Sequence, residues 1–274
     1  MIRPKLFGLH ATPTKGLRIF LALVPFIVVI ATYLIASDAR HQENPSDKLL
    51  PSIEQMTSAV ERMAFTESKR TGEYLMLNDT LSSLKRLGLG LTIATVAALI
   101  LGLNMGAFPG MSATLSPFMT GLAMIPPLAI LPILFITFGI GEVGKVALIF
   151  IGTFPMMTRD VYMATRKIPT EQITKALTLG ASQLAVVYKV VLPQIMPRLL
   201  SSLRLSLGAA WLFLIAAEAI ASTDGLGYRI FLVRRYMSMD IIIPYVVWIT
   251  FMGFMLDLGL KLIIKHHYSW FKSE

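Results

Sequence analysis

Long apolar runs, separated by polar segments, dominate the pattern of this chain. Most of them reach the roughly 20 residues that a helix needs to cross the hydrocarbon core of a bilayer. The pattern predicts an all-α, polytopic membrane protein in which residues 1–274 form a single transmembrane domain. About six spans are expected, at residues 17–36, 87–107, 113–138, 143–157, 199–221 and 241–264.

Two polar segments lie between these runs. Residues 38–86 contain a 3.6-residue rhythm of apolar positions over Ser52–Met63, which predicts a short surface helix. Residues 158–196 form the second segment. Because basic residues precede the first span and the number of spans is even, we expect 158–196 and both termini in the cytoplasm. The basic residues are Arg3, Lys5, Lys15 and Arg18.

Composition supports a membrane protein over a soluble one. Hydrophobic residues make up 55% of the 274 positions and charged residues 15%, against about 45–50% and 25% in soluble domains. The net charge of +9 suits anionic lipid at a cytoplasmic membrane surface, so no nucleic-acid partner is expected. The chain has no cysteine, and its four histidines lack a ligand spacing, so we expect no metal site.

Small residues within the spans predict close helix packing. Gly102 and Gly106 form a GxxxG pair, and Ser202, Ser206 and Ala210 repeat at four-residue spacing. The second face, together with the absence of an internal duplication, also suggests that two copies of the chain associate.

Several residues are candidates for the pathway or a gate. A proline within a span removes a backbone hydrogen bond and favours a position beside a wet cavity. A carboxylate at membrane depth favours a pathway, although Glu218 could instead reach water at the interface. Lys145 is expected to snorkel to the interface, and Asp257 to pair with Lys261. The pathway candidates are Pro126, Pro127, Glu142, Trp211 and Glu218.

The segment after residue 169 predicts a helical hairpin. Thr170 is a plausible N-cap, with Glu171 in the first turn. Gly180 can end this helix in a left-handed conformation, and a second helix is expected from Ser182 to near Pro193. Its apolar face must be covered by another protein or fold back on the bundle, and the pattern favours a docking element.

These residues resemble the "EAA" loop of the integral-membrane permease subunits of binding-protein-dependent ABC importers. Thr174-Lys175-Ala176 occupies the Glu-Ala-Ala positions, Gly180 the glycine, and Leu192-Pro193 the Leu-Pro. The first two positions depart from the pattern. Residues 126–129, 138–142 and 218–228 look like the nitrate, sulfonate and taurine branch of these permeases.

The resemblance implies a type I ABC importer permease in a bacterial inner membrane. Its partners would be a second permease copy, two ATPase subunits that bind ATP and Mg²⁺, and a periplasmic or lipid-anchored binding protein. No cofactor is expected in this chain. The implied coupling residues are Thr170, Glu171, Thr174, Lys175, Ala176, Gly180, Ala181, Leu192 and Pro193.

Other readings lead to different expectations. Three arginines, Arg229, Arg234 and Arg235, could dock the binding protein or attract an anionic solute. An ion-gradient-driven secondary transporter usually shows inverted repeats, and none is evident. A membrane enzyme is disfavoured because G-x-x-x-x-G-K-[ST] and G-x-S-x-G motifs are absent and Glu142, Glu218 and Asp257 do not obviously converge.

Overall fold

The computed structural model describes residues 13–44, 47–68 and 72–271, so Arg3 and Lys5 lie outside the described residues. Within these ranges the regular structure is helical, with no strand. A 3₁₀ turn covers Pro127–Ile130, and π turns cover Glu61–Phe65 and Val187–Val191. The α-helices are α1 (Lys15–Glu43), α2 (Ile53–Val60), α3 (Leu75–Ala107), α4 (Pro109–Met124), α5 (Leu131–Phe138), α6 (Glu142–Arg166), α7 (Thr170–Thr178), α8 (Gln183–Val186), α9 (Leu192–Ala221), α10 (Leu226–Arg234) and α11 (Met239–His267).

Five helical segments are long and apolar enough to cross a membrane, and a bent pair can supply a sixth. The five are α1, α3, α6, the run of α8 into α9, and α11. This confirms the all-α polytopic fold and the expected number of spans. The short surface helix is also confirmed, because α2 begins after Ser52 with a reciprocal capping box between Ser52 and Gln55.

The third span, predicted over 113–138 with prolines that interrupt it, consists of two helices rather than one. Pro109–Met124 and Pro127–Phe138 are bent by 83° with respect to each other. Ile125 and Pro126 adopt extended backbone between the two halves. Proline disfavours the helical conformation in the residue before it and donates no hydrogen bond, so two successive prolines break this span.

Three other helix boundaries differ from the predictions. Helix α3 begins at Leu75 rather than near 87, and α6 continues to Arg166 rather than ending near 157, because the bundle buries polar side chains in both extensions. The second hairpin helix does not stop at Pro193, which lies in the first turn of α9, where a proline removes no needed donor. Thr170 is the first residue of α7 rather than its cap, since Pro169 holds the N-cap position.

Helices α3, α6 and α9 form the centre of the bundle. The α3 and α6 axes run in the same direction and approach closely where α3 carries glycines. A Cβ on Gly102 would lie 2.7 Å from the carbonyl oxygen of Thr158, and one on Gly90 would lie 2.7 Å from Ile149. The predicted close packing at the GxxxG pair is therefore confirmed.

The face formed by Ser202, Ser206 and Ala210 is buried inside the chain. Ser202 donates a 2.7 Å hydrogen bond to Asp160 on α6. This confirms that the repeat supports helix packing, but the packing is between α9 and α6 of one chain. The face therefore no longer provides a reason for two copies to associate.

Helix α1 makes its described hydrogen bonds with the segment that follows it rather than with the central bundle. Tyr33 donates to the carbonyl of Pro51 at 2.6 Å, and Ser37 donates to that of Leu50 at 2.9 Å. No residue in its most apolar stretch is buried. Such a surface suits contact with lipid or with a neighbouring subunit.

The α3–α6 contact predicts a strong difference between two glycines of the same helix. Gly102→Ala should lower the free energy of unfolding by about 1–3 kcal/mol, because the added methyl overpacks against Thr158 and Val161. Gly88→Ala is the matched control. It has open space around its Cβ position and should be neutral or slightly stabilising. Unfolding in detergent measures both, and equal stability of the two variants would contradict the packing.

Candidate functional site

The hairpin of α7 and α8 is closed by a complete Schellman motif. Gly180 has φ +87°, a left-handed conformation that glycine adopts without strain. Its N–H donates to Leu177 at 3.0 Å, and that of Ala181 donates to Ala176 at 3.1 Å. Ser182 then caps α8 by accepting from the N–H of Ala185. The predicted turn at Gly180 is confirmed.

The outer face of this hairpin is apolar and exposed. Ile173 and Ala176 pack inward against the bundle, whereas Leu179 is 85% exposed. The other large apolar side chains on the exposed face are Leu177, Leu184 and Tyr188. The hydrophilic residues Thr170, Glu171, Thr174 and Lys175 are also exposed. Within the described part of the chain, no element covers this face, which we call the hairpin face.

A side-chain contact joins the hairpin to the bundle. Gln194 donates to the side chain of Gln172 on α7 at 3.1 Å and to the carbonyl of Val190 at 2.8 Å. Leu192 and Pro193 begin α9 just before it. The contact therefore places α7 directly beside the first turn of α9.

At the opposite end of the bundle, a buried arginine uses all five of its N–H donors. Arg86 on α3 is 3% exposed. It donates two bonds to Glu142, of 2.7 and 2.8 Å, and one of 2.7 Å to Glu218. The remaining two go to the carboxylate and the backbone carbonyl of Asp224. Arg86 therefore joins α3, α6, α9 and the loop after α9.

Each carboxylate of this cluster has further partners. Glu218 is fully buried and also accepts from Ser83 and the N–H of Gly227. Glu142 accepts from Lys145 at 2.9 Å. Burial alone would raise the pKa of Asp224, but hydrogen bonds from Ser82 and Arg86 outweigh it and lower that pKa. The hydrogen bonds from Arg86 and the neighbouring donors compensate for the burial of these acids.

A second buried ion pair lies beside the first. Asp79 on α3 is fully buried and accepts from Arg229 at 2.8 Å, Tyr245 at 3.1 Å and the N–H of Gly225 at 3.0 Å. Gly225 has φ +112°, and a Cβ there would collide with Glu218 and Arg86. The two pairs thus share one loop, and together they form what we call the charge cluster.

Two expectations about charged residues in the spans are wrong. Lys145 does not snorkel outward; its ammonium group is buried and donates to Glu142 and Ser222. Asp257 pairs with Arg204 on α9 at 2.8 and 3.0 Å rather than with Lys261. Lys145 is held by Glu142 on its own helix and by Ser222 on the following loop, whereas Asp257 finds an arginine on a neighbouring helix.

The pathway candidates lie in three different places. Glu142 and Glu218 belong to the charge cluster, and Pro126 and Pro127 form the break between α4 and α5. Trp211 is buried on α9, and its indole N–H has no partner among the described residues. The sequence grouping therefore does not correspond to one site, and the pathway roles stay predictions.

The three arginines proposed for docking are not equivalent. Arg229 turns inward to Asp79. Arg234 and Arg235 are exposed, and the guanidinium of Arg234 lies 4.9 Å from the ring centroid of Phe231. Of the three arginines, only Arg234 and Arg235 form an exposed, positively charged surface.

Arg86 and Asp79 are the central residues that sequence reasoning missed. Both fall in the segment 75–86, which was read as polar and outside the spans. The signal was nevertheless present, because Asp79, Ser83, Arg86 and Gly90 continue the spacing of one helix face into the apolar run.

Comparisons with known proteins point to one family. The inner membrane component of binding-protein-dependent transport systems matches residues 89–272. A putative ABC transporter permease of Methanocaldococcus jannaschii is 33% identical over 94% of both chains. The taurine transport system permease TauC of Escherichia coli is 33% identical over 69% of both. The structure also resembles a chain of the inward-facing MetNI methionine ABC transporter, with a TM-score of 0.63, 20% identity, and coverage of 72% of this chain and 98% of the other.

The charge cluster predicts a large cost for removing its central cation. Arg86→Met should lower the free energy of unfolding by about 3–5 kcal/mol, because Glu218 is left buried without its counter-charge. Arg62→Met is the control. It breaks an exposed pair with Asp240 and should cost less than about 1 kcal/mol. Thermal unfolding of the purified chain compares the two, and similar losses would contradict a central role for Arg86.

Proposed function

The chain belongs to the family of binding-protein-dependent transport system inner membrane components, and from this membership we propose how its two ends serve an ATP-driven importer. As a permease subunit, it supplies the transmembrane channel and does not hydrolyse ATP itself. An ATPase subunit, which binds ATP and Mg²⁺, docks on the hairpin face. A binding protein docks at the end that carries the charge cluster.

The exposed hairpin face is the observation that supports ATPase docking best. It combines large apolar side chains with the charged residues Glu171 and Lys175 on a short helix that ends in the Schellman motif. The link from Gln172 to Gln194 provides a route from the docked partner to α9. Conformational change driven by ATP requires only that the ATPase bind one arrangement of this hairpin better than another.

The arrangement of the spans supports a topology. If the bent pair counts as one crossing, six crossings place both termini and α7 on the same side, which we assign to the cytoplasm. Two copies of the chain form the pathway, because one copy shows no internal duplication. The exposed apolar faces of α4 and α5, with Phe118, Ile133 and Ile136, are available for that contact.

We assign a small organic anion of the taurine type as the transported solute. The similarity to the taurine permease supports this assignment, and the exposed Arg234 and Arg235 favour the approach of an acidic binding protein or of an anion. The anion is delivered outside, crosses between the two copies, and is released in the cytoplasm.

Uptake experiments test the function. Proteoliposomes that contain the permease, its ATPase and its binding protein should accumulate labelled taurine only when ATP is present on the side of the membrane where the ATPase lies. A protonophore should leave the rate unchanged, since no ion gradient drives the cycle. Uptake that persists without ATP and collapses with the protonophore would instead indicate a secondary transporter.

The turn at Gly180 gives a sharper test of coupling. Gly180→Val should abolish uptake and the stimulation of ATP hydrolysis by the loaded binding protein, because a branched residue at φ +87° is strained by about 1–3 kcal/mol. Gly180→Asn should retain much of both activities, since asparagine tolerates the left-handed region. Native mass spectrometry should still find two copies of either variant. Normal coupled uptake by Gly180→Val would show that the hairpin does not couple the partners.

A further inference from the structure

A cavity of about 370 Å³ lies between α4 and α6, with one wall from α3. It is separate from the charge cluster and from the hairpin face. Its volume corresponds to roughly a dozen water molecules in the liquid and lies within the range of small-molecule sites. Most of its lining is apolar and methionine-rich, with Met105, Met119, Met124 and Met163 among the lining residues.

Two hydrogen-bond donors in this lining have no partner among the described residues. Arg159 on α6 is exposed to the cavity and makes no ion pair within the described ranges. Its neighbour Asp160 accepts from Ser202 on α9 instead. The hydroxyl of Ser116 on α4 likewise donates to no described group. By contrast, Arg86, Arg204 and Arg229 each have a carboxylate partner.

The other polar groups of the lining are already engaged. The hydroxyls of Thr120 and Thr158 donate to carbonyls of their own helices. The hydroxyl of Tyr162 is contacted by Ser112 and Arg166 at 3.1 and 3.0 Å. Ser116 and Arg159 are therefore the side chains of the lining whose donors have no partner among the described residues, and Arg159 is cationic.

The backbone around the cavity is irregular on two sides. Helix α4 ends at Met124, immediately before the 83° break, and Pro155 of α6 lines the cavity. A proline within a helix leaves one carbonyl without its intrahelical donor. At membrane depth, such irregular backbone is tolerated where it lines protein or a wet cavity, and an ionisable side chain there marks a pathway by default.

From this combination we infer that the cavity is a subsite of the pathway that holds the anionic group of a small organic anion. Arg159 and Ser116 bind an oxygen of a sulfonate or carboxylate. The methionine side chains, which are flexible and polarizable, accept the short aliphatic body. This inference rests on the proposed function, because it places the transported solute on one face of the permease.

A cysteine reporter tests the subsite without requiring transport. The chain has no cysteine, so Ser116→Cys introduces its only thiol. In complexes held in phosphatidylcholine nanodiscs, this thiol should react faster with 2-sulfonatoethyl methanethiosulfonate than with its trimethylammonium analogue. Arg159→Gln should lower that rate ratio roughly tenfold or more, because a nearby unit charge is removed at low dielectric. Arg159→Lys should retain most of it, and modification is read by mass spectrometry of the isolated chain.

A matched reporter and a competitor make the result specific. Thr114→Cys lies on α4 outside the cavity lining and is exposed, so its rate ratio should not respond to Arg159→Gln. Added ethanesulfonate should slow modification of Ser116→Cys in the presence of Arg159 only. In uptake assays, Arg159→Gln should raise the KM for taurine about tenfold, with a smaller change in Arg159→Lys.

Three outcomes would overturn the subsite. The first is a rate ratio at Ser116→Cys that does not change in Arg159→Gln. The second is the absence of protection by ethanesulfonate. The third is protection by phosphatidylglycerol in the nanodisc but not by ethanesulfonate, which would assign Arg159 to a lipid headgroup. Failure of taurine uptake by the unmodified complex, with the expected reporter selectivity, would instead remove the proposed function and leave the anion site.

Discussion

One end of this molecule depends on a single constraint, which is that every N–H donor of Arg86 must find an acceptor. A buried guanidinium is costly unless every donor finds an acceptor, and a buried carboxylate is costly unless a counter-charge is fixed beside it. Arg86 and Glu218 meet both conditions for each other. Removing Arg86 leaves Glu218 as a buried unpaired charge, whereas removing Glu218 leaves one donor of Arg86 without its acceptor. Four separate stretches of chain must therefore converge before any of these groups is stable.

The backbone of the loop after α9 follows from that convergence. The backbone N–H of Gly225 donates to the carboxylate of Asp79, and the residues that follow Gly225 form α10. No side chain fits at Gly225 because Glu218 and Arg86 occupy the space. Glycine is required here for two reasons at once, a φ of +112° and the close approach of two charged side chains.

Local patterns predicted the elements whose causes are local. The apolar runs gave the spans, Ser52 the start of α2, and Gly180 the turn of the hairpin, because length, capping and φ depend on a few neighbouring residues. The prolines predicted an interruption of the third span but not the 83° angle between its halves, since a proline in a span can kink or break it depending on its neighbours. Arg86 and Asp79 were missed because their partners lie far away in the chain, and Lys145 was misplaced because its second partner, Ser222, is also distant. Whether a charged side chain is buried depends on its tertiary partners, and the composition of the chain does not reveal those partners.

The two ends of the bundle differ in whether their side chains find partners within the chain. At the charge cluster, buried acids and bases satisfy one another within the chain, so the outer parts of α3, α6 and α9 are held as one body. At the hairpin, Leu179 and its exposed neighbours have no cover within the described residues. The hairpin is joined to the bundle by its packed apolar face, by the Gln172–Gln194 hydrogen bond and by the helical run of α8 into α9. In the proposed mechanism, an internally satisfied end resists deformation, so we expect motion imposed on the hairpin face to move whole helices rather than to cause local rearrangement.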